Sequence, residues 1–321
     1  MLLGFYGVCV LNYIVLSKHH DHFKTFTGLT LQEFNTLNEQ IHQKYQTYEQ
    51  KRLTRENRKR AIGAGQPFKL DLTNRILILL LYYKLYTSST LLGYLVNLSQ
   101  TSVLTSIRKI EPLIQEILPL PNKQHQKTQR LTTITEIEKM FPGFEAFIDA
   151  TEQEIPRPKN KQKRKTHYSG KKKKHTVKTQ LTVNKQGLIV HKSRHAKGST
   201  HDYALYKHSH PKLPKEVTSK LDLGYLGIEA DYPLLDCVLP FKKKTPGRGK
   251  VGVKAEPLTV TQKLFNKLLA SARVVVEHTN SRVKKFRIFG EEFRNRLKHY
   301  DTMTDITCGL VNFRISGTLT A

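Results

Sequence analysis

Two aspartates in the C-terminal half of the sequence are placed to share a divalent metal ion. Asp149 ends an apolar segment that predicts a short strand, and Asp222 ends or follows a second one. Carboxylates at the ends of adjacent strands can converge, and they supply the hard oxygen ligands that divalent cations prefer. A single aspartate at a strand end is more often a cap or a surface group, so each residue alone is a weak signal.

A third acid, Glu277, lies in a segment over residues 259–286 whose periodicity predicts a long helix. At 100° per residue, Arg273, Glu277 and Lys284 fall within about 40° of one another, beside a separate apolar face. An Arg–Glu ion pair one turn apart on a solvated helix would explain two of these residues and stabilise the helix by only a few tenths of a kcal/mol. The stripe alone does not decide between an ion pair and a catalytic acid.

The charge balance indicates a polyanionic partner. The 321 residues include 54 Lys and Arg against 26 Asp and Glu, a formal net charge of +28. Hydrophobic residues make up 38% of the chain, which is enough for a folded core and excludes a disordered basic tail. Nucleic acid is the default partner of such a chain, and an anionic membrane surface is the weaker alternative.

The cysteines and the N-terminal residues argue against a disulfide-linked, a zinc-binding and a membrane-spanning protein. Cys9, Cys237 and Cys308 lie far apart, which argues against a disulfide framework or a cysteine zinc site and suits a reducing compartment. The first sixteen residues are uncharged, but they are short for a membrane span of about 20 residues. They also lack the basic start of a secretory signal. We therefore expect a buried first helix and no membrane segment.

Residues 70–112 fit a helix-turn-helix that reads DNA. Ser88 and Ser99 can cap two short helices on either side of a tight turn at Asn97, and the second helix should stop near Pro112. The second helix would present to the major groove the polar residues Gln100, Thr101, Ser102, Arg108 and Lys109. An ordinary helical hairpin explains this segment equally well.

Composition divides the chain into a helical N-terminal domain (1–125), a linker (126–140) and a mixed α/β domain (141–321). We expect residues 1–125 alone to bind DNA. The α/β domain contains two basic runs, 157–174 and 242–250. These runs, including the three residues Lys171, Lys172 and Lys173, should contact phosphates without reading sequence.

In combination, these residues resemble the DDE transposases of bacterial insertion sequences, in the group related to Harbinger-type elements. The resemblance is carried by Asp149 in IDATE, by Asp222 two residues before Gly-Tyr, and by the spacing of Arg273, Glu277 and Lys284. It covers residues 70–315 and is specific as a combination, although no single motif is.

Two further runs support the resemblance, and one position departs from it. Tyr168–Lys173 matches the family's Tyr-Ser-Gly-Lys-Lys run, and Gly198–Asp202 matches its Gly-Ser-x-His-Asp run. Ala270 stands where the family often has an aromatic residue. The second run makes Asp202 a rival for the second acid. Its alternative role is at a helix N-terminus, where the dipole favours a carboxylate, and we place Asp222 ahead of it.

The resemblance implies an α/β fold, an RNase H-like catalytic domain with a mixed five-stranded sheet flanked by helices, preceded by an all-α helix-turn-helix domain. Asp149 would lie on the first strand, Asp222 at the end of the fourth, and Glu277 on a C-terminal helix. The three acids would hold two Mg²⁺ ions about 4 Å apart, for which Mn²⁺ can substitute. Arg273 and Lys284 would hold the DNA backbone nearby.

The activity implied is that of a DNA transposase. It would bind terminal inverted repeats, hydrolyse phosphodiester bonds and transfer strands to target DNA, with protomers paired on two ends, at the nucleoid in the bacterial cytoplasm. Two alternatives remain: a metal-dependent DNA nuclease of the same fold, and a non-catalytic helix-turn-helix DNA-binding protein. Intact acids at all three positions argue against the second alternative.

Overall fold

The computed structural model describes residues 11–54, 56–57, 59–62, 64–243 and 256–320. The helices of these residues are α1 (Tyr13–Leu16), α2 (His20–Thr27), α3 (Leu31–Leu53), α4 (Leu72–Leu85), α5 (Ser89–Leu95), α6 (Gln100–Ile117), α7 (Pro121–Thr128), α8 (Ile134–Met140), α9 (Lys161–His167), α10 (Asp202–Ser209), α11 (Ile228–Asp231), α12 (Val260–Lys284), α13 (Arg287–Gly290) and α14 (Tyr300–Ser316). The strands are β1 (Glu145–Glu154), β2 (Tyr168–Ser169), β3 (Lys174–Asn184), β4 (Ile189–Lys192), β5 (Ala196–Lys197), β6 (Thr218–Lys220) and β7 (Cys237–Val238). Within the described ranges, no helix is long and apolar enough to cross a membrane.

The chain forms two compact units. The helical unit comprises the described residues of 1–120 and 283–321, and the sheet unit comprises those of 121–282. This division differs from the expected boundaries at the linker and at the C-terminus.

The expected linker, residues 126–140, is mostly helical and belongs to the sheet unit. Thr133 begins α8 with a capping box, in which its hydroxyl accepts from the Glu136 N–H and the Glu136 carboxylate accepts from the Thr133 N–H. α7 lies against β4 and buries Gln124 and Thr128. The capping box holds α8 and packing against β4 holds α7, so both short helices form without the apolar periodicity that predicts a helix.

The C-terminal segment 283–321, expected in the catalytic domain, packs in the helical unit instead. α14 lies against α6, and α13 lies against α4. The Asn312 side-chain amide donates to the Pro119 carbonyl at 2.9 Å, and the Thr320 N–H donates to the Ile117 carbonyl at 2.8 Å. The end of the chain therefore completes the core around α6.

Helices α5 and α6 are joined by the predicted tight turn, an arrangement that a helix-turn-helix and an ordinary helical hairpin share. The hydroxyls of Ser88 and Ser99 cap α5 and α6, and Asn97 takes the left-handed conformation in the turn, with φ 54°. A Cβ at Gly93 would lie 2.5 Å from the Leu98 carbonyl oxygen. Only glycine therefore allows the two helices to approach this closely across the turn.

Helix α6 does not stop at Pro112, where the sequence predicted its end, but continues to Ile117. Proline removes one helical hydrogen bond and normally costs about 3 kcal/mol in a helix interior. Pro112 lies on the exposed side of α6, while Leu113, Ile114 and Ile117 beyond it are fully buried. Burial of these three side chains offsets the missing hydrogen bond and extends the helix past the proline.

The sheet of the second unit is mixed and has five strand positions. β1 pairs antiparallel with β3 on one side and parallel with β6 on the other, and β6 pairs parallel with β7. β4 and β5 pair with successive parts of β3 and together form one edge. This order and these directions, with flanking helices, confirm the expected RNase H-like fold.

Hydrogen bonds of Asn184 and the backbone conformation of Gly187 stabilise the turn of the hairpin formed by β3 and β4. β3 and β4 are joined by a tight turn, where the Asn184 side-chain oxygen accepts from the Gln186 and Leu188 N–H groups, both at 3.0 Å. Gly187 adopts φ 83°, a conformation that favours glycine. Beneath β1 and β6 the core is formed by five buried residues, Ile148, Tyr206, Leu221, Tyr225 and Ile228.

A largely buried histidine, His191 on β4, packs edge-on against His125 of α7, with ring centroids 4.8 Å apart. The pKa of His191 is lowered to about 3, mainly by burial and in addition by the charges of His125, Lys192 and His210. His191 is therefore neutral in the folded protein throughout the physiological pH range, although it gains a proton near pH 6.5 when the chain unfolds.

We expect acid to destabilise the sheet unit through His191. Because the folded-state pKa is depressed, the stability is complete above pH 6.5 and is lost as the pH falls towards 3. The loss at pH 4.5 should be about 2–3 kcal/mol, and His191→Leu should largely remove it. Urea unfolding at pH 7 and pH 4.5 measures this, with the exposed His208→Leu as control. An equal acid loss in wild type and His191→Leu would contradict the assignment.

Candidate active site

Asp149, in the middle of β1, is contacted by α12 through both carboxylate oxygens. The Asn280 amide donates to Asp149 Oδ2 at 2.8 Å, and Arg273 Nη2 lies 3.8 Å from Asp149 Oδ1. Arg273 and Asn280 are seven residues apart, which is two helical turns, so one side of α12 faces this acid.

The pKa of Asp149 is raised to about 6, first because the carboxyl is buried. The Arg273 guanidinium opposes this rise, whereas the negative charges of Asp222 and Asp202 add to it. The three aspartates therefore lie within electrostatic reach of one another and repel. A bound cation would relieve that repulsion.

Asp222 follows β6 and lies beside Gly224 and Asp202. Its Oδ1 accepts the Gly224 N–H at 2.8 Å, so it does cap the short 3₁₀ turn Leu223–Tyr225. A Cβ at Gly224 would lie 2.9 Å from Asp222 Oδ1 and 3.1 Å from Asp202 Oδ2. Both oxygens thus line one small space that any other side chain at position 224 would fill.

The buried Tyr225 lies next to the three aspartates. Its hydroxyl donates to Gln180 Oε1 at 3.2 Å. Burial raises its pKa well above the usual range of a tyrosine, and the charges of Asp149, Asp202 and Asp222 raise it further. The hydroxyl therefore stays protonated and remains a hydrogen-bond donor beside the acids.

Glu277 is exposed on α12, four residues after Arg273 and three before Asn280. Both neighbours on this stripe contact Asp149. Arg273 thus forms an ion pair with Asp149 of β1. The stripe that the sequence singled out faces β1, with Glu277 at its solvent edge.

The donor set fits a divalent cation in its chemistry but is not pre-assembled. Within the described parts of the chain, no three His, Cys, Asp or Glu side chains are already grouped as a metal site. Asp149, Asp202 and Asp222 nevertheless supply hard oxygens that repel one another, and Gly224 leaves space between two of them. These are the features that a divalent ion needs.

Three residues of this site escaped the sequence analysis. Asn280 shares the helical stripe of Arg273, so the stripe could have revealed it. Tyr225 is the tyrosine of the Gly-Tyr pair that follows Asp222. Lys178, which binds Asp202 Oδ1 at 2.7 Å, lies just beyond the basic run 157–174 and carried no distinguishing signal.

The expected DNA-reading residues lie on α6 of the helical unit. Gln100, Thr101, Ser102 and Arg108 are exposed. Lys109 is half-buried, with its ammonium 4.6 Å from the centre of the Phe68 ring, and burial lowers its pKa. Lys109 is therefore partly engaged within the protein.

The other expected phosphate contacts lie on elements other than α6. Lys171, Lys172 and Lys173 are exposed in the turn between β2 and β3. Lys284 ends α12 and groups with the helical unit. Most of the basic run 242–250 falls at residues 244–250, outside the described residues.

Comparisons with known proteins agree with this geometry. A family model described as DDE superfamily endonuclease matches residues 148–312, just over half of the chain. The chain is 28% identical over 298 residues to a probable transposase for insertion sequence element IS702 from Microchaete diplosiphon, covering 92% of this chain and 94% of that protein. No solved structure matches the chain significantly.

Proposed function

Because this chain belongs to the DDE superfamily endonucleases, we propose that it is a DNA transposase that cuts the ends of its element and joins them to target DNA. One observation carries the proposal. Asp149 on β1 and Asp222, which follows the adjacent strand β6, repel each other, and the α12 stripe that contacts Asp149 also carries Glu277.

Members of the superfamily use divalent metal ions, and in this chain Asp149, Asp222 and Glu277 would hold them. We propose two Mg²⁺ ions, replaceable by Mn²⁺. Such ions, when bound, generate a nucleophile from water or a 3′-hydroxyl and stabilise the charge on the leaving oxygen.

The residues around the acids have supporting roles. Asn280 orients Asp149 by donating to Oδ2. Arg273 balances the charge of Asp149 and, together with Lys284, would contact the DNA backbone. Because Arg273 is a cation that contacts Asp149, it suits a phosphodiester held beside the acids, and Lys284 is the cation that ends the same helix.

The helical unit would select the DNA. The exposed first turn of α6 suits recognition of terminal inverted repeats in the major groove, and the exposed lysines between β2 and β3 suit backbone contacts with repeats or target. Two protomers would act on paired ends at the bacterial nucleoid.

Strand cleavage and joining test this function directly. The full-length protein is incubated with a labelled duplex carrying the inverted repeats that flank its gene, in Mg²⁺, in Mn²⁺ and with EDTA. Cleavage and joining that need a divalent ion support the transposase. Cleavage without joining supports the nuclease alternative, and selective binding without cleavage supports the non-catalytic alternative.

We expect the lysines between β2 and β3 to supply affinity that does not depend on sequence. Replacing Lys171, Lys172 and Lys173 with Gln should lower the log–log salt slope of DNA binding by about 0.9 for each phosphate that the protein then leaves unneutralised. Fluorescence anisotropy at several salt concentrations measures the slope. Lys207→Gln is the control, because Lys207 already pairs with Asp231 at 2.5 Å. An unchanged slope in the triple variant would show that these lysines are only solvated.

A further inference from the structure

Lys178 of β3 is enclosed by the chain, although it lies in the most basic stretch of the sequence. Its side chain is only 10% exposed. Its ammonium donates to Asp202 Oδ1 at 2.7 Å and to the Thr200 carbonyl at 2.8 Å, and it lies 3.7 Å from Glu152 Oε1. All three partners are oxygens, so the ammonium is held from several directions at once.

The partners of Lys178 are themselves fixed. Glu152 on β1 accepts the Thr176 hydroxyl at 2.9 Å through its other oxygen. The Gly198 N–H donates to the Thr176 carbonyl at 3.0 Å, and a Cβ at Gly198 would lie 2.1 Å from Thr176 Oγ1. The chain from Gly198 to Asp202 is thereby held tightly against β3.

The two carboxylate oxygens of Asp202 have different surroundings. Lys178 binds Oδ1, whereas Oδ2 faces the space beside Gly224 that Asp222 Oδ1 also lines. Both oxygens lie within about 3 Å of one point, so they are at most about 6 Å apart. A surface cap at the start of α10 would need neither an enclosed lysine nor this orientation.

We propose that Lys178 is a positioning residue of the active site, which turns Asp202 Oδ2 towards Asp222 so that Asp202 becomes a third aspartate facing the divalent ion. The inference rests on the proposed function and adds a residue pair to it. Lys178 acts through Asp202 and touches neither DNA nor the reacting atoms.

Mn²⁺ binding to the DNA-free protein, followed by the EPR signal of the free ion, tests the proposal. Lys178→Met should weaken Mn²⁺ binding by about 10- to 100-fold, the usual effect of removing a residue that orients a metal ligand, and Asp202→Asn, which removes the oriented carboxylate itself, should weaken it at least as much. Lys178→Arg should restore part of the affinity. The double variant should be no weaker than Asp202→Asn alone, because the two residues act in sequence.

The matched control is Lys174→Met. Lys174 lies on the same strand and pairs with Glu154 of β1 at 2.6 Å, but its side chain is 60% exposed, so its removal should leave Mn²⁺ affinity unchanged. If the Lys178→Met protein fails to fold, Asp202→Asn still tests the inference, because the asparagine keeps a hydrogen-bond acceptor for Lys178.

The outcomes separate this inference from the function beneath it. If Asp149→Asn loses Mn²⁺ while Lys178→Met and Asp202→Asn bind it normally, the function stands and the inference is overturned. Additive losses of affinity in the double variant would also overturn it. If the wild-type protein neither binds Mn²⁺ nor cleaves DNA, the proposed function itself fails.

Discussion

Replacing Asp149 with Asn is expected to slow DNA cleavage by at least about a thousandfold, and Asp222→Asn and Glu277→Gln should do the same. Each change preserves side-chain volume and removes one anionic ligand from a site that must hold divalent cations. A loss of about 4 kcal/mol in transition-state stabilisation corresponds to roughly this factor. Single-turnover cleavage of a labelled end duplex measures it.

The Asp149→Asn protein should also be more stable than wild type at neutral pH without metal. The folded-state pKa of about 6 lies above the ordinary aspartate value of 3.8, so the wild-type protein loses stability as the pH rises from 4 through 6. That loss is at most about 3 kcal/mol. Asparagine avoids it, so the two unfolding midpoints should converge near pH 4. Catalysis and stability should thus change in opposite directions.

Glu154→Gln is the matched control for these substitutions. Glu154 lies on the same strand as Asp149 but pairs only with a largely exposed lysine, and such surface pairs contribute about 0–1 kcal/mol. Cleavage should therefore be unchanged. Activity in all three acid variants would disprove the metal site. An active Asp222→Asn beside an inactive Asp202→Asn would move the second acid to Asp202.

The second large effect is expected in DNA selection. Replacing Gln100, Thr101 and Ser102 together with Ala should reduce the preference for end DNA over random duplex by at least about tenfold, since one good base contact is worth about 1–3 kcal/mol. All three side chains are exposed at the start of α6, where a recognition helix meets the base edges.

Neutralising Arg108 and Lys109 should act differently. Contacts with the DNA backbone position a protein without reading sequence. This double variant should therefore lower the affinity for end DNA and for random DNA equally. Competition binding with an uncleaved substrate, using full-length Asp149→Asn protein, separates the two effects. A triple-Ala protein with unchanged preference would mean that α6 does not read the ends.

The full chain is needed because the fragment 1–125 is not a suitable reagent. It lacks α13 and α14, which pack against α4 and α6. It also lacks Asn312, which binds the Pro119 carbonyl. Such a fragment would expose core surface around the helix whose DNA binding is to be measured.

The sequence could predict elements whose signals are local. The caps at Ser88 and Ser99 and the turn at Asn97 depend on a few adjacent residues, and all three are present. The short apolar run before Asp149 indicated a strand, but β1 continues past Asp149 to Glu154 instead of ending there.

Features that depend on distant partners could not be predicted. Whether Arg273 pairs with Glu277 or with Asp149 depends on where α12 packs. The spacing of residues along the helix is the same in both cases and does not distinguish them. The role of Lys178 depends on Asp202 and Glu152, which meet it only across the folded sheet. The continuation of α6 past Pro112 likewise depends on burial that a local pattern does not show.

The return of residues 283–320 to the helical unit makes the core around α6 depend on a segment that is translated after the whole sheet unit. The ribosome adds this segment long after α6 itself has been made. A nascent chain therefore cannot fully pack α6 until this segment has also been synthesised. A premature stop codon after residue 282 would leave every proposed catalytic acid in place and remove part of the support for end recognition.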